Sequence, residues 1–348
     1  MSVLRYSVVE ADLEKDRSRI LSFWERIGFS APDRAERYDW FYIHNPDGRG
    51  RIYLLMVEGE SEIIGTGCAG TRWICLPGGR KVRASVLVDF AVDPAHRSVG
   101  PALTLQRKVR EGEMRYADLL YGLPDTKAVP IFKRLGSDQV LQEVSYAYVT
   151  RTGSYLQRAL PSWAAPLGAA TGALLDMFRG MLLRGGALAG GAFCEWRSDP
   201  TPDHDALWSR QLEGQHPGMG VRDCRHLSWR FGSADWRYAV VMAKRDSSLL
   251  AYMICRRVDD ELIVSDMLIP GEPEAQKQAL NAFLVLARKE SVRVVRLDLL
   301  APAQTTKALE SVSFSVRGSR PCFIIRNPDR CQQPLTENWW FTKVDEDV

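Results

Sequence analysis

Residues 85–102 combine a strand, a turn and the start of a helix, and they constrain the fold more than any other stretch of the chain. Residues 85–92 are apolar and largely β-branched apart from Asp89, which is typical of a buried strand. Asp93 and Pro94 end this strand, because proline cannot donate a hydrogen bond to a sheet and restricts the residue before it. The stretch therefore predicts a central strand that passes directly into a turn.

Residues 97–102 form that turn and lead into a helical pattern over residues 103–114. The small side chains at positions 98, 100 and 102 allow a ligand to approach the main chain closely. The free amides of a helix N-terminus point outward, and the helix dipole attracts negative charge there. Pro101 lacks one N–H donor, but proline is well tolerated in a first helical turn. The sequence therefore predicts a seat for a pyrophosphate group.

Composition limits the broad class of protein. A chain of 348 residues, 45% of them hydrophobic, is long enough for two domains. The net charge of +3 is too small to favour nucleic acid or a membrane by itself. The seven cysteines form no C-x-x-C pair and the five histidines show no ligand spacing, so we expect neither disulfides nor a metal site. The scattered cysteines favour a reducing cytoplasm and the N-terminus has no basic-then-apolar signal pattern, so we expect a cytoplasmic protein.

The remainder of residues 1–150 has the pattern of a mixed α/β sheet. Two hairpins with glycine-rich or proline-rich turns are predicted before the central strand, with strands at 52–57, 63–68, 71–76 and 81–83. After the helix, a strand at 117–121 and a further helix ending at 131–136 follow. This order is expected of a mixed sheet covered by helices.

The spacing Arg97-x-x-Gly100-x-Ala102, after a strand ending in Val-Asp-Pro, resembles the acyl-CoA-binding motif of the GNAT N-acyltransferase superfamily. Residues 131–136, Ile-Phe-Lys-Arg-Leu-Gly, are similar to the closing motif of that family. The resemblance implies direct transfer of an acetyl or other acyl group from acyl-CoA to a small-molecule amine, without a metal. It also implies that the pantetheine arm of acyl-CoA lies in a slot between the central strand and the strand at 117–121.

The resemblance further implies which residues contact acyl-CoA. Main-chain groups of the central strand would pair with pantetheine, one amide among them would polarise the thioester carbonyl, and the turn would hold the pyrophosphate. The implied contact residues are Phe90, Ala91, Val92, Arg97, Ser98, Val99, Gly100, Ala102 and Phe132.

Acyl transfer also requires a base for the amine and, in many members of the family, an acid for the thiolate. Asp89 is in place as the base, with Asp125 at the mouth of the slot; alternatively, Asp89 is a structural acid that caps a turn or pairs with an arginine. Phe132 stands where the family often has a tyrosine acid. Either the thiolate leaves unaided, or Tyr121 or another group acts as the acid, or this domain does not catalyse the reaction.

The second half of the chain repeats the pattern of the first. The order of elements in residues 201–348 matches that in 1–150, which predicts two tandem GNAT-like domains. The second copy is degenerate, because residues 270–274 place two acids where a pyrophosphate would sit. Residues 151–200 join the copies as a hydrophobic helical linker. Its segment 160–183, rich in Ala, Gly and Leu, either packs within the protein or contacts a membrane surface or a partner.

Two further stretches carry aromatic residues. Trp40 and Tyr42 belong to a cluster that, by resemblance, lines the acceptor pocket, although a place in the core is an equal alternative. In the tail, residues 338–341 are expected to dock back onto the protein and the acids at 345–347 to be solvated.

Three functional hypotheses follow. The first is the acyl-CoA-dependent N-acyltransferase, whose doubled layout also resembles proteins of bacterial polysaccharide or secondary-metabolite pathways. The second is a Fem-type aminoacyl-tRNA-dependent transferase, which the acyl-CoA motif and the modest charge disfavour, so no nucleic acid is expected. The third is a non-catalytic GNAT-fold binding protein, favoured by Phe132 and Pro101.

Overall fold

The structure, a computed structural model, describes residues 5–29, 33–153, 161, 165–332 and 334–346. Its strands are β1 (Tyr6–Glu10), β2 (Arg51–Val57), β3 (Gly65–Leu76), β4 (Arg80–Val92), β5 (Leu119–Gly122), β6 (Gln139–Val149), β7 (Ala192–Arg197), β8 (Gly218–Gly220), β9 (Arg237–Ala243), β10 (Leu249–Val258), β11 (Glu261–Leu268), β12 (Val294–Leu299), β13 (Ser315–Arg326) and β14 (Trp339–Trp340). Its helices are α1 (Arg17–Arg26), α2 (Arg34–Tyr38), α3 (Val99–Glu113), α4 (Val129–Leu135), α5 (Ala165–Ala189), α6 (Pro202–Glu213), α7 (Cys224–Phe231), α8 (Pro273–Ala287) and α9 (Ala303–Ser311).

The fold is α/β, and all these strands belong to one sheet with both parallel and antiparallel pairs. The strand order is β1-β2-β3-β4-β5-β13-β6-β12-β11-β10-β9-β7, with β8 paired to β3 and β14 to β8. The centre of the sheet is made by an exchange of strands. β13, close to the end of the chain, pairs with β5, and β6 of the first half pairs with β12 of the second. Each half therefore completes the sheet of the other. The boundaries at residues 150 and 200 stay predictions.

β3 and β4 are longer than the sequence predicts. The predicted strands 63–68 and 71–76 form one strand, and 81–83 belongs to the central strand β4. The expected break falls at Gly70, where an added Cβ would lie 2.5 Å from Cζ of Phe41. Such close packing against the main chain needs a glycine inside an extended strand, so here the glycine does not end the strand.

Helices cover both faces of the first half of the sheet. Leu105 and Val109 of α3 pack on one face with Phe132 of α4. Phe23 and Trp24 of α1 pack on the other face, which is where α1 turns its apolar stripe. Residues 84–92 of the central strand therefore lie between helices on both sides, which explains why this part of the strand is largely apolar.

Trp40 and Trp229 join the two halves of the chain. Their rings stack with centroids 4.6 Å apart and planes inclined by 17°. Nε1 of Trp40 donates to the carbonyl of Trp229 at 2.9 Å, and Nε1 of Trp229 donates to the carbonyl of Trp40 at 3.3 Å. The contact is reciprocal, as contacts across a twofold axis are. Trp40 is half-buried and packs between the two halves of the chain.

The C-terminal tail is buried, and the predicted solvation of its acids is wrong for Asp345 and Glu346. Asp345 is 1% exposed and Glu346 is 7% exposed, whereas Asp347 lies outside the described residues. Asp345 accepts from Arg72 at 3.2 Å and from Arg222 at 2.5 Å. Two buried guanidinium groups need an acid between them, and the tail supplies it.

Candidate active site

A β-bulge interrupts the central strand at Asp89. Thr66 of β3 lies opposite Ala91 and Cys68 lies opposite Val88, so the single residue Gly67 faces both Asp89 and Phe90. Asp89 has a φ of 46°, a conformation that residues other than glycine seldom adopt. Strain of this kind persists only where the surroundings hold it, and it is frequent at functional sites.

Side chains from α1 and β3 hold the bulge in place. The Thr66 hydroxyl donates to the carbonyl oxygen of Asp89 at 3.3 Å. The same hydroxyl accepts the indole N–H of Trp24 at 2.9 Å. Both side chains are buried, so this chain of hydrogen bonds orients the main chain of the bulge without help from solvent.

The central strand extends past its parallel neighbour. β4 and β5 pair only from Ala84 with Leu119 to Val86 with Tyr121, while β4 continues to Val92. Residues 87–92 of β4 therefore have no partner on β5 within the described part of the chain. This leaves a notch at the carboxyl ends of two parallel strands, with the bulge at its edge. Phe90, Ala91 and Val92, predicted to meet pantetheine, lie on this stretch.

Helix α3 begins at Val99, within the predicted turn and four residues before the predicted helical pattern at 103–114, and fewer amides are free than the motif implies. The amide of Arg97 donates to Pro94 at 3.3 Å, and the amide of Ser98 donates to His96 at 2.8 Å. The amide of Ala102 donates back to the carbonyl of Ser98 at 3.4 Å, as in a helix. These three predicted phosphate donors are therefore already used by the main chain.

The amides of Val99 and Gly100 remain as donors in the first turn of α3, since neither has an acceptor among the described residues. A Cβ added at Gly100 would meet nothing within 4 Å, so a ligand has open access to the main chain there. The Arg97 side chain is turned back, with Nη2 donating to the carbonyl of Val92 at 3.2 Å. This contact ties the turn to the end of the central strand.

Asp89 is held by an arginine that the sequence analysis did not identify. Arg37 of α2 donates from Nη1 to Oδ2 at 2.9 Å and from Nη2 to Oδ1 at 3.3 Å. The Tyr42 hydroxyl also donates to Oδ2. A carboxylate has about four acceptor positions, so about one remains. The arrangement agrees with the alternative in which Asp89 pairs with an arginine, and its role as a base stays a prediction.

Tyr42 is a buried hydrogen-bond donor to the carboxylate of Asp89. Its ring is fully buried, and burial together with the charge of Asp89 raises the pKa of its hydroxyl well above the usual value. The hydroxyl is therefore a fixed donor at neutral pH. Tyr42 lies 5.4 Å from Tyr38, centroid to centroid, within an aromatic group packed on α1. Both Tyr42 and Trp40 thus have roles in packing, and acceptor binding by either stays a prediction.

Phe132, at the position where the family often has a tyrosine acid, and Tyr121, its possible replacement, lie on opposite faces of the sheet. Phe132 is buried against Gly122 and Phe323, with its ring at the end of β5. Tyr121 points to the opposite face of the sheet, where its hydroxyl donates to the carbonyl of Asp345 at 2.5 Å. Burial raises the pKa of Tyr121 well above its usual value. The Tyr121 hydroxyl thus donates its proton to a hydrogen bond with the buried tail, which disfavours Tyr121 as the acid for the thiolate.

Asp125 lies just beyond β5, where it is exposed. Its Oδ1 accepts from the amide of Ala128 at 2.8 Å, which caps the turn that enters α4. No group of three or more His, Cys, Asp or Glu side chains is placed to hold a metal ion in the part of the chain that the structure describes.

The fold is similar to that of solved GCN5-related N-acetyltransferases, which is the GNAT fold predicted from the sequence. A probable N-acyltransferase from Enterococcus faecalis matches 92% of this chain over 72% of its own length, with a TM-score of 0.61 and 12% identity. GCN5-related N-acetyltransferases from Anabaena variabilis and Kribbella flavida match 92% and 93% of the chain over 72% and 73% of theirs, with TM-scores of 0.60 and 0.58 and 14% identity each. No protein-family model and no curated protein matches the sequence.

Proposed function

We propose that this protein is an acyl-CoA-dependent N-acyltransferase that uses the notch between β4 and β5. The fold supports acyl transfer in general, because the similar solved structures are named N-acetyltransferases or, in one case, a probable N-acyltransferase. The observation that carries the acyl-CoA assignment is the pair of free amides at Val99 and Gly100, at the positive end of α3 and beside the unpaired edge of β4. The pyrophosphate would bind these amides, and pantetheine would pair with residues 90–92.

In this proposal the bulge supplies the electrophilic part of the site. A main-chain amide at the free edge of residues 90–92 would donate to the thioester oxygen as negative charge develops on it. Asp89 would act as the base through its remaining acceptor position, taking a proton from the amine directly or through water. Arg37 and Tyr42 fix the orientation of the carboxylate through their hydrogen bonds. With Phe132 unable to donate a proton, the thiolate would leave unaided, as a thiol with a pKa near 8.5 allows.

Calorimetric titration with acetyl-CoA and CoA tests the binding step. We expect micromolar binding that Gly100→Glu abolishes, because a carboxylate at the open position beside the free amides would repel the pyrophosphate. A glutamate in the first turn suits the helix dipole, so the fold should persist. Gly318→Glu is the matched control, since Gly318 also has nothing within 4 Å. Absence of binding to the natural chain would contradict the proposal.

An amine screen that follows release of free thiol tests the chemical step. Once an acceptor is found, Asp89→Asn should lower kcat by at least about a hundredfold if Asp89 is the base. Tyr42→Phe keeps the carboxylate and should lower kcat far less. An unchanged rate in Asp89→Asn would remove Asp89 as the base. Binding of acetyl-CoA without turnover of any amine would favour the non-catalytic alternative, which the paired Asp89 and the buried Tyr121 hydroxyl support.

A further inference from the structure

Helix α5 turns a broad apolar face to solvent. Eight large hydrophobic side chains on this one helix are between 46% and 66% exposed. They form the apolar face: Leu167, Leu174, Leu175, Met177, Phe178, Met181, Leu182 and Leu188. A helix on a protein surface normally turns its apolar stripe inward and its charged residues outward. Exposed apolar patches of this kind mark interaction sites.

The opposite side of α5 packs on the protein through small residues. Gly168, Gly172 and Ala187 are buried on this side, together with the larger Leu183. Gly186 lies directly against the side chain of Asn281 of α8. The small residues let α5 approach the protein closely, and most of its large side chains lie on the outside. The apolar face is therefore fixed in its orientation by packing on the other side.

A basic groove runs along each side of the apolar face. One groove, of about 720 Å³, is lined by Arg151, Arg184, Arg288 and Lys289. Asp176 also lines it, with its carboxylate accepting from the amide and hydroxyl of Thr152.

The second groove, of about 310 Å³, is lined by Arg179 and Lys277, of which Lys277 also lies 3.8 Å from Glu274. Among the described residues that line the two grooves, Asp176 is the single acid. The apolar face therefore lies between two strips of positive charge.

We propose that α5 is an interfacial anchor that lies on a bilayer containing anionic lipids. The apolar face would enter the boundary between headgroups and acyl chains, and the two basic grooves would meet the lipid phosphates. No helix in the described part of the chain is long and apolar enough to cross a bilayer. The proposal concerns a surface of the protein and is independent of acyl transfer.

Charge favours a lipid surface over a second copy of this chain. A twofold dimer through the apolar face would place basic grooves against basic grooves, because both sides of the helix carry the same sign. Anionic headgroups are complementary to both grooves at once. A membrane can therefore cover the apolar face and neutralise both basic grooves, whereas a second copy would place positive charges against each other.

Flotation of the full chain with vesicles tests the proposal. We expect binding to phosphatidylcholine vesicles with roughly 30% phosphatidylglycerol, weaker binding to phosphatidylcholine alone, and loss of the difference at high salt. The double variant Leu174→Glu/Phe178→Glu should weaken binding to the anionic vesicles by at least about tenfold. Val140→Glu/Val316→Glu is the matched control, because these valines are 51% and 56% exposed elsewhere and the variant adds the same charge.

Removal of two basic side chains gives a second measurement that leaves the apolar face intact. Arg184→Gln/Lys289→Gln should weaken binding to the anionic vesicles by on the order of tenfold, whereas the exposed pair Arg107→Gln/Lys108→Gln on α3 should not. Circular dichroism of each variant should match that of the natural chain, which serves as the control for folding.

Two results would overturn the proposal. One is a failure of the natural chain to float with anionic vesicles. The other is a dimer in sedimentation that Leu174→Glu/Phe178→Glu converts to a monomer, which would assign the apolar face to a second copy.

Discussion

His226 belongs to a buried polar cluster between the two halves of the chain. Its Nδ1 lies 2.8 Å from Nη1 of Arg72 and 3.4 Å from Oδ2 of Asp47. Burial lowers the pKa of His226 to about 4, and the charge of Arg72 acts in the same direction. The imidazole is therefore neutral at pH 7, and Nδ1 accepts the hydrogen bond that Arg72 donates.

This shift predicts how stability depends on pH. An unfolded histidine has a pKa of about 6.5, so between that pH and about 4 the unfolded chain binds a proton that folded His226 does not. His226 should therefore destabilise the fold as the pH falls through this window, by up to about 3 kcal/mol. Urea unfolding at pH 7 and pH 5 should show a smaller loss in His226→Gln than in the natural chain.

The control for this measurement is His44→Gln, since His44 is exposed. It should lose stability between pH 7 and pH 5 as the natural chain does. Burial raises the pKa of Glu346, which acts in the opposite direction, so only the difference between variants isolates His226. Equal losses in His226→Gln and the natural chain would contradict the assignment of a neutral, buried imidazole.

Some residues of the candidate site can be identified from the sequence, and others cannot. Asp89 and Gly100 stand out in the sequence, because a lone acid in an apolar strand and a glycine at a helix start are local signals. Arg37 does not stand out, because it lies 52 residues from Asp89 and one arginine among many carries no local signal. Its pairing depends on how α2 packs across the sheet.

At the scale of elements, close packing between α3 and β2 explains a glycine within the helix. A Cβ added at Gly112 would lie 2.5 Å from Cε1 of Tyr53 and would overlap its hydroxyl. That hydroxyl donates to Glu113 at 2.9 Å, beneath the helix. Alanine would normally stabilise a helix interior relative to glycine, and here the neighbouring strand prevents it.

Two glycine substitutions therefore have opposite expected effects. Gly112→Ala should lower the free energy of unfolding by about 1–3 kcal/mol, because Tyr53 must move. Gly185→Ala, in helix α5 with nothing within 4 Å, should be neutral or should raise it by up to ~1 kcal/mol. Chemical denaturation of both variants measures the difference. A Gly112→Ala variant as stable as Gly185→Ala would show that the contact between α3 and β2 is looser than described.

At the scale of the whole molecule, the exchange of β6 and β13 makes the halves interdependent. β13 separates β5 from β6, so in the first half alone β5 keeps only β4 as a neighbour and β6 has no neighbour. Asp345 also forms buried ion pairs with Arg72 and Arg222. Arg72 belongs to the first half of the chain, and the other two residues belong to the second half. Removing one member of such a set leaves a buried charge uncompensated, which is strongly destabilising.

A fragment of residues 1–150 should therefore not fold by itself. We expect no cooperative urea transition by circular dichroism, whereas co-expression with residues 151–348 should restore one, because β13 is then present. The full chain is the control and should unfold in transitions that coincide between far-ultraviolet circular dichroism and tryptophan fluorescence. Cooperative unfolding of the 1–150 fragment would show that it is an independent domain despite the exchange.

The sequence by itself determined the kinds of element, the strand–turn–helix unit at 85–102 and the GNAT fold that this unit indicates. These are local properties, because hydrophobic period, proline and glycine act on the residues around them. The tertiary structure alone decided which amides remain free at Val99 and Gly100, which arginine holds Asp89, and which half supplies each central strand. Those outcomes depend on contacts between distant residues, and many pairings of buried charges and strand edges satisfy the same sequence pattern.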